Sequence, residues 1–141
     1  MAYRSRRRGF VISAVAVGLL LAAHNSHGGS ILPTGATLTS ASSNVSLGQQ
    51  LASSDGWGSG SEWTCLDELW TRESGWQMVW NTAGSGAYGI PQSLPASKMA
   101  SAGGDYMTNP ATQIRWGLGY IRDTYGTPCG AWAHEEGSGW Y

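Results

Sequence analysis

Trp70-Thr71-Arg72-Glu73-Ser74-Gly75-Trp76 puts a single carboxylate at the end of an apolar, tryptophan-rich run. Ala87-Tyr88-Gly89-Ile90-Pro91-Gln92 follows after a turn-rich stretch. A glutamate backed by indoles loses hydration in its charged form, so its pKa is expected to rise. A carboxyl group still protonated near neutral pH is what general-acid cleavage of an acetal requires. The other acids have no such setting. Asp67 and Glu68 share the helix of Glu73, Asp105 lies in the central loops, Asp123 lies on a later helix, and Glu135 and Glu136 fall in a polar tail. Each is expected to be a solvated surface charge. A two-carboxylate glycosidase needs a second acid at a set separation, and no motif marks one.

The elements that must carry Glu73 are mainly helical. Ser59 and Glu62 fit a capping box, and Trp63, Leu66, Leu69 and Trp70 recur at three- and four-residue steps. Gly75 is expected to stop this helix. Cys65 lies next to the apolar face, not on it. Pro91 and Pro95 interrupt the middle, leaving a helical turn or two through Ala96 to Ala102. A final helix should open with Asn109 as N-cap and Pro110 at the first position. Ile114, Leu118, Ile121 and Tyr125 trace its buried face, Gly126 ends it, and Pro128 should prevent continuation. Gly117 and Gly119 inside it imply close packing against another backbone. No run alternates like a strand.

Composition bounds the partners. Arg4, Arg6, Arg7 and Arg8 precede an uninterrupted apolar or small-residue run, Phe10 to Ala23. That run is short of the roughly 20 residues that span a bilayer, so residues 1–23 read as a signal peptide. The general secretion route suits it better than the twin-arginine one, and an uncleaved anchor is the alternative. All nine acids lie from Asp55 onward, where only Arg72, Lys98, Arg115 and Arg122 oppose them. A mildly acidic mature chain argues against nucleic acid as a partner. The charged fraction is 12%, and polarity comes from Ser, Thr, Asn, Gln and Gly, a mix suited to neutral ligands such as sugars. Cys65 and Cys129 are the only cysteines, and behind an export signal they are expected to pair. No cluster has metal-ligand spacing, and no cofactor is expected. Residues 24–59 are Ser-, Thr- and Gly-rich without sustained periodicity, and Trp57 is their only aromatic. They read as a disordered spacer, dispensable for folding. The folded domain is then residues 60–141.

Glu73-Ser74 in its tryptophan setting, Gly89-Ile90-Pro91-Gln92, and Ala131-Trp132 near the end resemble the three sequence marks of lytic transglycosylases. These are cell-wall enzymes of the goose-type lysozyme-like superfamily. Ser97-Lys98-Met99-Ala100-Ser101 and Asn109-Pro110-Ala111-Thr112-Gln113 add to the likeness, which covers about residues 62–141. The resemblance implies a small lysozyme-like domain with Glu73 as the catalytic acid and base. It implies that Ser74 holds the site and that Gly89 and Gln92 bring a glutamine to the sugar cleft. Tyr88 would stack on a sugar or hydrogen-bond to Glu73. Ile90-Pro91 replaces the family's Leu-Met, and Trp132 stands where a tyrosine is usual. Trp76, Trp80 and Trp140 are further candidate sugar platforms, although most tryptophans in a small domain are core; Trp132 is the preferred one, with His134 as a minor polar contact. The implied partner is the peptidoglycan glycan strand, met by a secreted monomer that touches membrane only through an uncleaved N-terminal segment. One Lys against seven Arg fits a bacterial coding bias. A muramidase acting on the same bond, or a wall-binding module without turnover, would carry the same marks.

Overall fold

Leu66, Leu69 and Trp70 are fully buried on one face of a helix, as their spacing requires. That helix is α2 (Gly60–Ser74) in a computed structural model that describes residues 41–141. Around it stand α1 (Ala41–Ala52), α3 (Pro110–Tyr125) and α4 (Pro128–Ser138), with short 3-10 turns at Ser53–Asp55 and Ala96–Ser101. The fold is mainly helical. Its only β features among the described residues are two isolated bridges, Trp80 with Tyr88 and Tyr88 with Ser93. Among those residues no helix is long and apolar enough to cross a membrane.

α3 forms as its sequence dictates. Asn109 Oδ1 accepts the Ala111 N–H at 2.9 Å, Pro110 takes the first position, and Ile114, Leu118 and Ile121 point inward. Gly117 is closely packed, but against side chains and not another backbone: a side chain there would strike the Trp70 ring and Pro91. Gly119 has no such neighbour, only the end of the Arg122 side chain at 3.6 Å.

Three expectations are corrected. α3 ends at Tyr125, before Pro128, as expected, but it is not the last helix, because Pro128 opens another. Thr127 Oγ1 accepts the Gly130 N–H at 3.1 Å, and Pro128 occupies the first turn of α4, where its missing N–H costs nothing. Glu62 does not close a capping box on Ser59, whose side chain makes no cap bond. Its Oε2 instead accepts the Cys129 N–H at 2.9 Å, capping α4. Residues 41–59 are not spacer. They fold as α1, which packs on α3, and Trp57 joins the core. The signal-peptide reading and residues 24–40 lie outside the described residues.

The physical reason for α1 is its small-residue face. Asn44, Gly48 and Ala52 recur every four residues and are all buried. Gly48 lets the Trp76 ring lie directly on the helix backbone, and Asn44 Nδ2 donates to the Trp76 carbonyl at 2.8 Å. Trp76, 1% exposed, also meets Trp70 edge-on at 5.0 Å and Trp63 at 5.7 Å between ring centroids. Its indole N–H donates to Asp67 at 2.8 Å. It is therefore core and not a sugar platform, and Asp67 is a hydrogen-bond acceptor for it.

Cys65 and Cys129 are disulfide-bonded, joining α2 to α4 across 64 residues of sequence. Closing a loop of that length removes about 4 kcal/mol of unfolded-state entropy.

A methyl group at Gly48 would overlap the Trp76 ring. Gly48→Ala should therefore destabilise the protein by about 1–3 kcal/mol, despite the higher helix propensity of alanine. Chemical denaturation followed by tryptophan fluorescence checks this. An unchanged midpoint would mean that α1 does not dock.

Candidate active site

Glu73 lies in the last turn of α2. Gly75 ends that helix in a left-handed conformation (φ 61°), its N–H returning to the Thr71 carbonyl at 3.0 Å. The chain then doubles back through a loop whose pieces are fixed to their surroundings. Ser74 Oγ donates to the Ile90 carbonyl at 2.8 Å, fastening the end of α2 to the loop. The Ile90 N–H donates to Gln113 Oε1 at 2.9 Å, and Gln113 Nε2 donates to the Tyr106 carbonyl at 2.7 Å. Gly89 (φ 86°) faces this buried amide, where any side chain would collide with Gln113. Gln92, also at positive φ (50°), donates from Nε2 to the carbonyls of Gly89 and Val79 at 2.9 and 3.1 Å.

These constraints leave a cleft of about 460 Å³ whose wall includes Glu73, Asn81, Gln92, Leu94, Trp140 and Tyr141. The volume suits a small ligand or a short segment of a polymer. Among the described residues, Glu73 is the only acidic side chain on its wall. One wall is aromatic and partly wet. Trp140 is 60% exposed, and its carbonyl meets His134 Nδ1 at 2.8 Å while the two rings pack edge to face at 4.4 Å. Tyr141 is fixed by two bonds. Its hydroxyl donates to the Pro91 carbonyl and accepts the Trp70 indole N–H, each at 2.8 Å.

The Glu73 carboxyl is pushed up to about 7, chiefly by burial and then by the negative charge of Glu135, with Arg72 opposing. Glu135 sits on α4 and is 3% exposed, its Oε1 held by Arg72 Nε at 3.1 Å. Its Oε2 is buried and receives no N–H or O–H from any described residue. The Arg72 guanidinium also lies 5.7 Å from the centre of the Trp132 ring. Burial and the nearby Glu73 charge push the Tyr141 phenol well above its ordinary value, so it stays a neutral hydrogen-bonding group.

The residues singled out from sequence divide into three groups. Glu73 and Gln92 share the cleft. Ser74 and Gly89 lie behind it, holding the loop. Tyr88 and Trp132 are corrected. Tyr88 is buried, its hydroxyl donating to the Met107 carbonyl at 2.8 Å, so it reaches neither a ligand nor Glu73. Trp132 packs against the core beneath Arg72 and contributes nothing to the cleft wall. The aromatic side chains on that wall are Trp140 and Tyr141, the next two residues after Gly139. Trp80 is exposed and rests on Tyr88 at 4.6 Å. Asp105, exposed in the loops, accepts from Asn109 Nδ2 and Thr112 Oγ1, each at 2.7 Å. Those two bonds hold its carboxyl below the usual range and leave it outside the cleft. Trp140, named among the candidate sugar platforms, does lie on the cleft wall, whereas Glu135, Gln113 and Tyr141 were not singled out as site residues. Glu135 was legible in one respect: it follows Ala131 by four residues, on the face that α4 buries.

No family model, curated protein or solved structure matches this chain.

Between pH 4.5 and about 7 the folded Glu73 keeps a proton that the unfolded chain has released. The folded state therefore binds more protons in that window, and this contribution to stability falls as pH rises through it. Glu73→Gln abolishes the effect. The melting temperature of the variant minus that of the wild type should grow from pH 4 to pH 8. A difference that does not change with pH would place Glu73 in ordinary solvent.

Proposed function

We propose that this protein is a secreted lytic transglycosylase of lysozyme-like fold that cleaves the bond between N-acetylmuramic acid and N-acetylglucosamine in peptidoglycan. The observation that supports this reading is the cleft with one acidic side chain, poised near neutrality, and no second one from the described residues on its wall. A two-carboxylate hydrolase places its acids about 5–5.5 Å apart for retention, or 6.5–9.5 Å for inversion. Among the described residues, no second acidic side chain lines the cleft. A single group that first gives a proton and then takes one suits a reaction whose nucleophile is a hydroxyl of the substrate.

In that reaction Glu73 protonates the glycosidic oxygen as the bond to the anomeric carbon breaks. The resulting carboxylate then accepts the proton of the muramyl 6-hydroxyl, whose oxygen bonds to the same carbon. A 1,6-anhydro end forms, no water is consumed, and Glu73 regains its starting state. Asn81 supplies an amide group to sugar hydroxyls and N-acetyl groups, while Gln92, its N–H groups given to the Gly89 and Val79 carbonyls, shapes the wall. The exposed face of Trp140 offers a platform for a pyranose ring. The fixed loop behind Gln92 keeps this geometry rigid, as general-acid catalysis demands.

Glu73→Gln should lower release of soluble muropeptides from purified peptidoglycan by about 10²- to 10⁴-fold, the typical worth of general acid–base catalysis. Binding to the same material should survive. Mass spectrometry of the products separates the readings: anhydromuramyl ends support the transglycosylase, and new reducing muramyl ends would assign a muramidase. Binding without soluble product would make the protein a wall-binding module.

A further inference from the structure

The Glu73 cleft does not end at Tyr141. Gln92, Leu94 and Tyr141 also line a narrower channel of about 90 Å³, whose lining adds Lys98, Trp116 and Tyr120. Trp116 and Tyr120 in turn line a wider hollow of about 310 Å³ that reaches Arg115 and Asp123 on α3. Shared walls join the three spaces, so channel and hollow form a side branch of the cleft. The flank of the branch is stiff. The Trp116 and Tyr120 rings stack nearly parallel, 5.3 Å between centroids, and Trp116 packs on the buried Tyr88, Ala96 and Met99.

Charge sets the branch apart from the cleft. The lysine and arginine side chains of the described residues are Arg72, Lys98, Arg115 and Arg122. Arg72 is taken by Glu135, and Arg122 by Asp55 and Asp123. Lys98 and Arg115 have no ion-pair partner among the described residues, and both line the branch. Asp105 feels the charge of Arg115, but its oxygens accept from Asn109 and Thr112. Asp123, the one acidic side chain of those residues on the branch wall, lies 3.6 Å from Arg122. The cleft has the opposite balance, with Glu73 and no lysine or arginine from the described residues on its wall. A ligand that suits both parts is neutral at Glu73 and anionic along the branch.

We propose that the branch receives the peptide stem of peptidoglycan, its carboxylates met by Lys98 and Arg115 and its chain laid along Trp116 and Tyr120. The proposal rests on the reading of the cleft as a peptidoglycan site. A muramyl sugar carries its peptide on a lactyl ether of the pyranose ring, so a sugar seated at Glu73 must send a peptide out of the cleft. That peptide holds more carboxylates than amines, because its first alanine is amide-linked. With about 90 Å³ against 460 Å³ in the cleft, the channel suits a peptide chain better than a second pyranose. An exposed charge pair is worth little alone. Joined to a glycan already held, such weak contacts add to one binding event and favour stem-bearing sugars.

The test uses the full chain and an N-acetylated stem tetrapeptide of L-alanine, γ-linked D-glutamate, diaminopimelate and D-alanine. A tetramer of N-acetylglucosamine is titrated separately. NMR of the indole N–H groups follows both, with Trp116 assigned by its loss in Trp116→Phe. The peptide should shift Trp116, and the sugar should shift Trp140 instead. Lys98→Glu and Arg115→Glu, both at exposed positions, should each weaken the peptide about 2- to 10-fold at low salt and less at high salt. The rate of glycan cleavage should be higher on intact peptidoglycan than on glycan stripped of stems by an amidase, and the ratio should fall in both variants. A peptide that leaves Trp116 unmoved, or that binds both variants as tightly as wild type, overturns the proposal. So does a Trp116 shift produced by the sugar and not the peptide, which gives the branch to the glycan. Peptide binding at Trp116 by a protein that cleaves neither material sustains the branch and rejects the function proposed above. Equal cleavage of both materials, insensitive to Lys98→Glu, does the reverse.

Discussion

Two cross-links fasten α2 to α4 at different heights, and the site depends on both. Near the start of each helix, Cys65 is bonded to Cys129, and Glu62 caps the Cys129 N–H. About a turn or two further on, Arg72 meets Glu135. The matching order means that the helices run in the same direction. Their near-equal rise of about 1.5 Å per residue then brings Glu135 level with the end of α2. Glu73, half-buried in the last turn of α2, follows Arg72, which reaches across to α4 through Glu135. The covalent bond and the charge pair thus act on one register.

The second support is a set of tryptophans that do no chemistry. Trp76 is the hub, closed on one side by Trp63 and Trp70 and on the other by α1. Trp70 gives its indole N–H to Tyr141, so the core and the cleft wall share a hydrogen bond. A change made in the packed interior reaches the site through that contact, as it does through the Ser74–Ile90 and Ile90–Gln113 bonds.

What could be read in the sequence follows the size of the buried side chains. α2 and α3 announce themselves through Leu66, Leu69, Ile114 and Leu118, which have no other place to go. α1 hides its inward face in Asn44, Gly48 and Ala52, residues that look like linker because they are small, and their smallness is what admits the Trp76 ring. α4 was legible by the same grammar as α3. Thr127-Pro128 repeats Asn109-Pro110, but a proline just after a helix-ending glycine reads first as a stop. Glu73 stood out because its neighbours foretell desolvation. Glu135 did not, because a glutamate near another glutamate and two glycines has the look of a solvated tail, and only the partner helix reveals its burial. Trp132 drew attention by its position in a motif, whereas the aromatic wall of the cleft falls eight residues later at Trp140.

The path of the chain after α4 has a practical meaning for anyone who extends it. Tyr141 is held on both sides of its hydroxyl, and Trp140 forms the open rim beside it. Polypeptide attached beyond Tyr141 would leave from the mouth of the cleft, within reach of any polymer lying across it. A purification tag or fused module there would compete with a bulky ligand, although a small soluble fragment could still enter. The start of α1 lies away from the rim in one respect: no described residue before Glu73 lines the cleft.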